Sequence, residues 1–190
     1  VATLAIIPIW YFIEKPKHIF VWEPTDKKAL QLGIIMVIGM LLQQAGLLYT
    51  TVSRAGFLTG VYIVFVPILG VFMGSKTQWP TWLGVSFALL GLYFLAQIEV
   101  THFLLGDSLI LLSSVLWALH VIYTGKVANQ MSVFRLMFLQ FAFSTLISGV
   151  AMITFEVWDW QAVKEAAGAL LFVGVLSSCV GFSLQVVGMR

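Results

Sequence analysis

The sequence predicts an all-α membrane protein, a polytopic helical bundle. Three observations predict it. The first is composition: 61% of the 190 residues are hydrophobic, 9% are charged, and the mean hydropathy is +1.02. A soluble domain carries about 25% charged residues, and a soluble chain this apolar could not cover its own surface. The second is length. Six apolar segments, 31–52, 55–74, 81–98, 107–125, 134–155 and 168–189, approach the ~20 residues a helix needs to cross hydrocarbon. The third is continuity. Strands of a membrane barrel are about ten residues long and alternate in polarity, and these runs do neither.

Taken in order, residues 1–13 are apolar but too short to span, and read as the end of a helix that starts upstream. The chain does not begin with Met and is expected to be a fragment. Segments 31–52 and 55–74 are joined by a turn at Thr51–Arg54. Pro67 lies inside the second and removes one backbone hydrogen bond, which predicts a kink near Val64 or Phe65 and a candidate hinge. Gly84, Ala88 and Gly91 give 81–98 a packing face. Every break except 14–30 is short, so neighbouring helices are expected to be antiparallel within one bundle.

Charge orients the bundle. Lys15, Lys17, Lys27, Lys28, Lys76, Lys126, Arg135 and Arg190 fall on one side, and only Arg54 and Lys164 on the other. Cytoplasmic loops are enriched in Lys and Arg, so loops 14–30, 75–80 and 126–133 are expected to be cytoplasmic. Glu99, Asp107, Glu156, Asp159 and Glu165 lie outside. Trp10, Trp22, Trp79, Trp82, Trp158 and Trp160 sit near segment ends, as an interfacial belt requires; Trp117 alone falls mid-segment.

Composition also excludes. A net charge of +2 without a basic patch argues against nucleic acid. The single Cys179 excludes an intrachain disulfide and a cysteine metal cluster. No cofactor-binding or metal motif and no enzyme motif occurs. His102 and Asp107 form at most a weak metal pair, and otherwise a plain loop. No secretory signal pattern is visible.

The chain repeats itself. Gly39-Met-Leu-Leu-Gln43-Gln44-Ala-Gly46 matches Gly181-Phe-Ser-Leu-Gln185-Val-Val-Gly188, with Gly, Leu, Gln and Gly coinciding 142 residues apart. The same offset pairs Glu14 with Glu156, each closing an apolar run. The unit is then five helices, an odd number, so the second copy is inverted. Inverted repeats mark secondary transporters, with the site near the midplane. Residues 1–99 would be the end of the first repeat and 107–190 the start of the second. The intact protein would have ten helices, six whole and one partial here.

The sequence resembles the drug/metabolite transporter superfamily, in its EamA-like branch. The resemblance rests on Tyr49-Thr-Thr-Val-Ser-Arg-Ala-Gly-Phe-Leu-Thr-Gly60, Val66-Pro67-Ile-Leu-Gly70, Trp82-Leu-Gly84 with Gly91-Leu92, and Gly106-Asp-Ser-Leu-Ile-Leu-Leu-Ser-Ser-Val-Leu-Trp117-Ala118. It covers nearly the whole chain. It implies ten helices in two inverted halves, both termini cytoplasmic, and export or exchange of small metabolites. The sequence departs from it at Ser75, which follows Gly74 where many members carry Glu.

Helical spacing gathers the candidate site residues. Ser113, Trp117, His120 and Thr124 share a face of 107–125. Gly174, Ser178, Gly181, Gln185 and Gly188 share one on 168–189, and Gly39, Gln43, Gly46 and Thr50 one on 31–52. Gln44 lies about 100° from Gln43 and is expected against a neighbouring helix. Two readings fit the stripes. They line a substrate cavity, with Tyr62 contributing, or they pack helices through small residues and interhelical hydrogen bonds. Trp117 offers a stacking surface. His120 is ionisable at membrane depth, with an unperturbed pKa near 6.5, which suits proton coupling. Arg54 is either an anion attractor or a solvated interfacial residue.

The expected function is secondary transport of a small-molecule substrate, export of an organic metabolite across the cell membrane by alternating access. Its partners are that substrate and the lipid bilayer; homo-oligomerisation stays open. The alternative is a non-transporting membrane scaffold, or an integral membrane enzyme of unrecognised chemistry.

Overall fold

Six helices are long and apolar enough to cross a membrane, and they account for most of the chain. The computed structural model describes residues 1–15, 21–96, 105–155 and 159–189. Among these no strand occurs. The protein is a multi-pass, all-α membrane protein. Lys17, Glu99, His102, Glu156, Trp158 and Arg190, used above for orientation, repeat or metal arguments, lie outside the described residues.

Helix α1 is Ala2–Glu14 and α2 is Asp26–Leu47. The pair α3, Val52–Gly60, and α4, Tyr62–Phe72, forms one span. Then come α5, Trp79–Ala96, α6, Leu105–Val127, and α7, Val133–Phe155. A short α8, Trp160–Glu165, precedes the last span. That span is α9, Ala167–Leu171, a π-helix, Phe172–Gly181, and α10, Phe182–Gly188.

Polar side chains start these helices. Thr51 caps α3 by accepting from the Arg54 N–H at 3.3 Å, and Asp159 caps α8 through Gln161 and Ala162. Ser132 accepts from the Arg135 N–H at 3.2 Å and starts α7. Each satisfies an amide that the first helical turn leaves without an internal partner. Gly74 ends α4 with φ +83°, a conformation that a Cβ disfavours.

The break in the α3–α4 span differs from the expected kink. It falls at Val61, earlier than Val64. There the Val61 N–H is shared between Phe57 and Leu58, and the Val64 N–H bonds Val61 at 2.9 Å, a tightened i→i+3 turn. Gly60 supplies the reason. It is buried with Leu92 pressed against it, at 2.6 Å from where a Cβ would stand, so the helix bends close over α5 at a residue of low helix propensity.

The last span also departs from expectation. Burial in the π-helix recurs at Gly174 and Cys179, five residues apart. An i→i+5 ladder advances about one residue more per turn than an α-helix, so the α-spaced stripe from Gly174 to Gly188 does not share one face. Ser178 and Gln185 are half-buried, and Gly181 and Gly188 are exposed.

Two compact units divide the chain, Val1–Ile34 with Thr124–Arg190, and Ile35–Tyr123. In the first, α7 packs on α1 and α10, and the π-helix packs on α1. Trp10 is buried there against Phe138 and donates to Glu14 at 3.0 Å, so it is a core residue and not part of an interfacial belt. Trp22, Trp79, Trp82 and Trp160 are exposed, as a belt requires. In the second unit α5 packs on α3 and α4.

Candidate functional site

The site is built in the second unit from α2, α3 and α6. Gly39 of α2 faces α6, where a Cβ would make ordinary contact with the Trp117 ring at 3.8 Å. Ser113, fully buried one turn away, donates to the Gly39 carbonyl at 2.9 Å. That bond takes up a hydroxyl that hydrocarbon would otherwise leave unpaired at a cost of several kcal/mol.

Trp117 then finds its partner. Its indole N–H donates to Gln43 Oε1 at 3.2 Å, and Gln43 Nε2 donates to Thr59 Oγ1 at 3.2 Å. The order is dictated by chemistry. An indole N–H only donates, so it takes the amide oxygen and turns the amide NH₂ towards Thr59. Three helices are joined by two side-chain bonds. His120 lies edge-on to the indole, with ring centroids 5.9 Å apart, and is 3% exposed.

The expected residues divide between the units. Gln43, Ser113, Trp117 and His120 come together in the second, and Tyr62 is half-buried at the start of α4 in the same unit. Thr124 is buried in the first unit, where Ser178 and Gln185 also belong. Pro67 is buried within α4. Gln44 is exposed rather than set against a helix. Thr59 was not among the expected residues. Its signal is composition: it is the one Ser or Thr in the apolar run between Ser53 and Ser75.

Sequence reasoning also missed two buried ion pairs. At the start of α6, Asp107 is 0% exposed and accepts from Arg54 and, at 2.6 Å, from the Thr50 hydroxyl. Arg54 is thus neither solvated nor an open anion attractor, and Asp107 is not a loop acid. Close backbone approach sets this corner. A Cβ on Gly106 would stand 2.5 Å from the Gly46 carbonyl oxygen and 2.7 Å from the Tyr49 carbonyl carbon. At the start of α2, Asp26 takes two bonds from Arg135, at 2.9 and 2.7 Å, while Arg135 also reaches Glu23 at 3.1 Å and the Val21 carbonyl. A buried guanidinium fits a carboxylate in this two-pronged way. Among the described residues no cluster of His, Cys, Asp and Glu is arranged to hold a metal.

A model of the EamA-like transporter family matches residues 1–97 and 104–190. The chain belongs to the EamA-like transporter family. It is similar to an uncharacterized transporter of Archaeoglobus fulgidus, with 28% identity over 165 residues, covering 84% of this chain and 51% of that protein. The chain therefore spans about half the length of this curated relative. In this EamA-like chain Ser75, where many family members were expected to carry Glu, closes α4 by donating its backbone N–H to Gly70 at 2.8 Å.

Proposed function

We propose that the protein is a secondary transporter that exports small organic metabolites across the cell membrane by alternating access. The observation that carries this reading is the polar chain Trp117–Gln43–Thr59, with His120 beside it, inside helices that cross the membrane. Polar groups at that depth mark substrate or ion pathways. Membership of a transporter family supports it. Gln43, Tyr62, Ser113, Trp117 and His120 are the substrate-side candidates in one unit. Thr124, Ser178 and Gln185 are those in the other, Gln185 being the repeat counterpart of Gln43. His120 is the candidate proton-coupling group, and Pro67 the hinge.

The repeat reading assigns residues 1–99 and 107–190 to two inverted halves, and the two stretches matched by the family model support it. The lysine-rich side, with loops 14–30, 75–80 and 126–133, faces the cytoplasm in this reading. The test is uptake and efflux of a metabolite panel in vesicles holding the full-length protein, with and without a pH gradient. A transported metabolite whose flux falls at least tenfold in Trp117→Ala is expected. Absence of any flux across the panel refutes the reading.

A further inference from the structure

The first unit contains a contact with a particular arithmetic. Thr3 Oγ1 on α1 and Thr145 Oγ1 on α7 lie 2.8 Å apart, and these residues are 142 positions apart in sequence. That is the offset at which Gly39, Gln43 and Gly46 match Gly181, Gln185 and Gly188. Two residues that correspond in an inverted duplication touch each other only where the two-fold axis runs between them, because the operation exchanges them.

A second pair of contacts tests the axis independently. A two-fold that exchanges residue i with its counterpart 142 later must also exchange contacts. Gly174 of the π-helix packs on Val1, the residue before α1, with no room for a Cβ. Exchange sends this contact to residue 143 of α7 against residue 32 of α2. The structure has Phe143 packed on Gly33, 3.2 Å from where its Cβ would stand, one residue from that expectation. The register of the crossing agrees. Trp10 lies seven residues past Thr3, Phe138 lies seven residues before Thr145, and their rings meet at 5.6 Å. The helices α1 and α7 are antiparallel about the threonine pair.

We infer that the α1–α7 crossing at Thr3 and Thr145 is the two-fold axis of the duplication and the fixed pivot about which the halves move. Each half also reaches across it: α2 of the first packs on α7 of the second, and the π-helix of the second packs on α1 of the first. Helices that lie on an axis are displaced least when the two halves rock about it. A hydroxyl pair suits the place. It holds two backbones close with a single bond, and each threonine presents the same group to its counterpart. The pivot rests on the transport reading above; the axis does not.

The experiment uses the full-length protein in vesicles, with Thr3→Cys and Thr145→Cys combined and Cys179→Ser as background. Atoms 2.8 Å apart put two cysteines within disulfide reach. Copper–phenanthroline is expected to cross-link the pair in high yield, to the same extent within twofold under a pH gradient of either sign. The oxidised carrier is expected to keep its flux within twofold of the reduced one. Failure to cross-link, a yield that falls several-fold in one condition, or flux lost on oxidation and restored by reductant overturns the pivot. If the double cysteine does not insert, spin labels at Leu4 and Leu146 replace it. Both are exposed and again correspond by the offset. Their separation is expected to hold constant, and a change of about 5 Å, one helical turn, overturns the proposal. Cross-linking is read on a gel, so a protein that cross-links fully yet transports nothing refutes the transport reading and upholds the axis.

Discussion

Asp107 is the residue whose removal the structure makes most consequential for stability. Its carboxylate is fully buried and accepts from both Arg54 and Thr50. Removing one member of a buried ion pair takes this counter-ion from the other, at about 3–5 kcal/mol. The Arg54 side chain keeps 14% exposure and that of Asp107 none. Asp107→Ala is therefore expected at the low end, about 3 kcal/mol, and Arg54→Met, which takes this cation from the wholly buried carboxylate, near 5 kcal/mol. At about 3 °C per kcal/mol for a chain of this size, these correspond to falls in Tm of about 9 and 15 °C. The double variant Asp107→Leu with Arg54→Met removes both charges, which is close to neutral when the replacements pack. It leaves the Thr50 hydroxyl without this acceptor, a residual cost of about 1 kcal/mol. The assay is thermal unfolding in detergent, followed with a thiol-reactive dye that reads exposure of the buried Cys179. Single variants melting within about 2 °C of the parent, or a double variant melting below both singles, refute the reasoning.

Gly106→Ala sets a Cβ against the backbone of three other residues and is expected to cost about 3 kcal/mol, the upper end of overpacking. Gly56→Ala, on open α3 surface, is expected to gain about 0.5–1 kcal/mol; a melting series orders the two. Gln43→Leu deprives the Trp117 N–H of this acceptor and is expected to destabilise by about 1–2 kcal/mol. Thr59→Val is expected to cost less, and equal losses for the two count against the donor order given above. His120→Ala is expected to flatten the pH profile of flux between about pH 5 and 8; an unchanged profile removes the proton-coupling role.

The helices were legible because hydrocarbon demands ~20 apolar residues whatever the tertiary contacts. The α6 face was legible for a similar reason: Ser113, His120 and Thr124 are buried at α-helical spacing because α6 is regular throughout. The same spacing failed on the last span, where the backbone changes its hydrogen-bonding period and no residue between Phe172 and Gly181 announces the change. The ion pairs were hidden differently. Arg54 and Asp107 each stand at the edge of an apolar run, where a charge reads as solvated, and only the approach of α2 to α6 at Gly46 and Gly106 brings them together. Their opposite signs on the same side of the membrane were the available clue. Arg135 shows what this does to orientation arguments, since one of the basic residues counted there is neutralised by Asp26 and Glu23.

The π-wound stretch has a mechanical meaning. An α-helix turns about 100° per residue and a π-helix about 82°. Ten residues of the second kind lag ten of the first by about half a revolution. Gln185 therefore faces roughly opposite to the direction that uninterrupted α-winding from Leu171 would give it. Rewinding Phe172–Gly181 as α-helix would screw everything beyond it through that half revolution while the upstream end stayed still. The helix that carries the second copy of the glutamine motif is built with a thread in it.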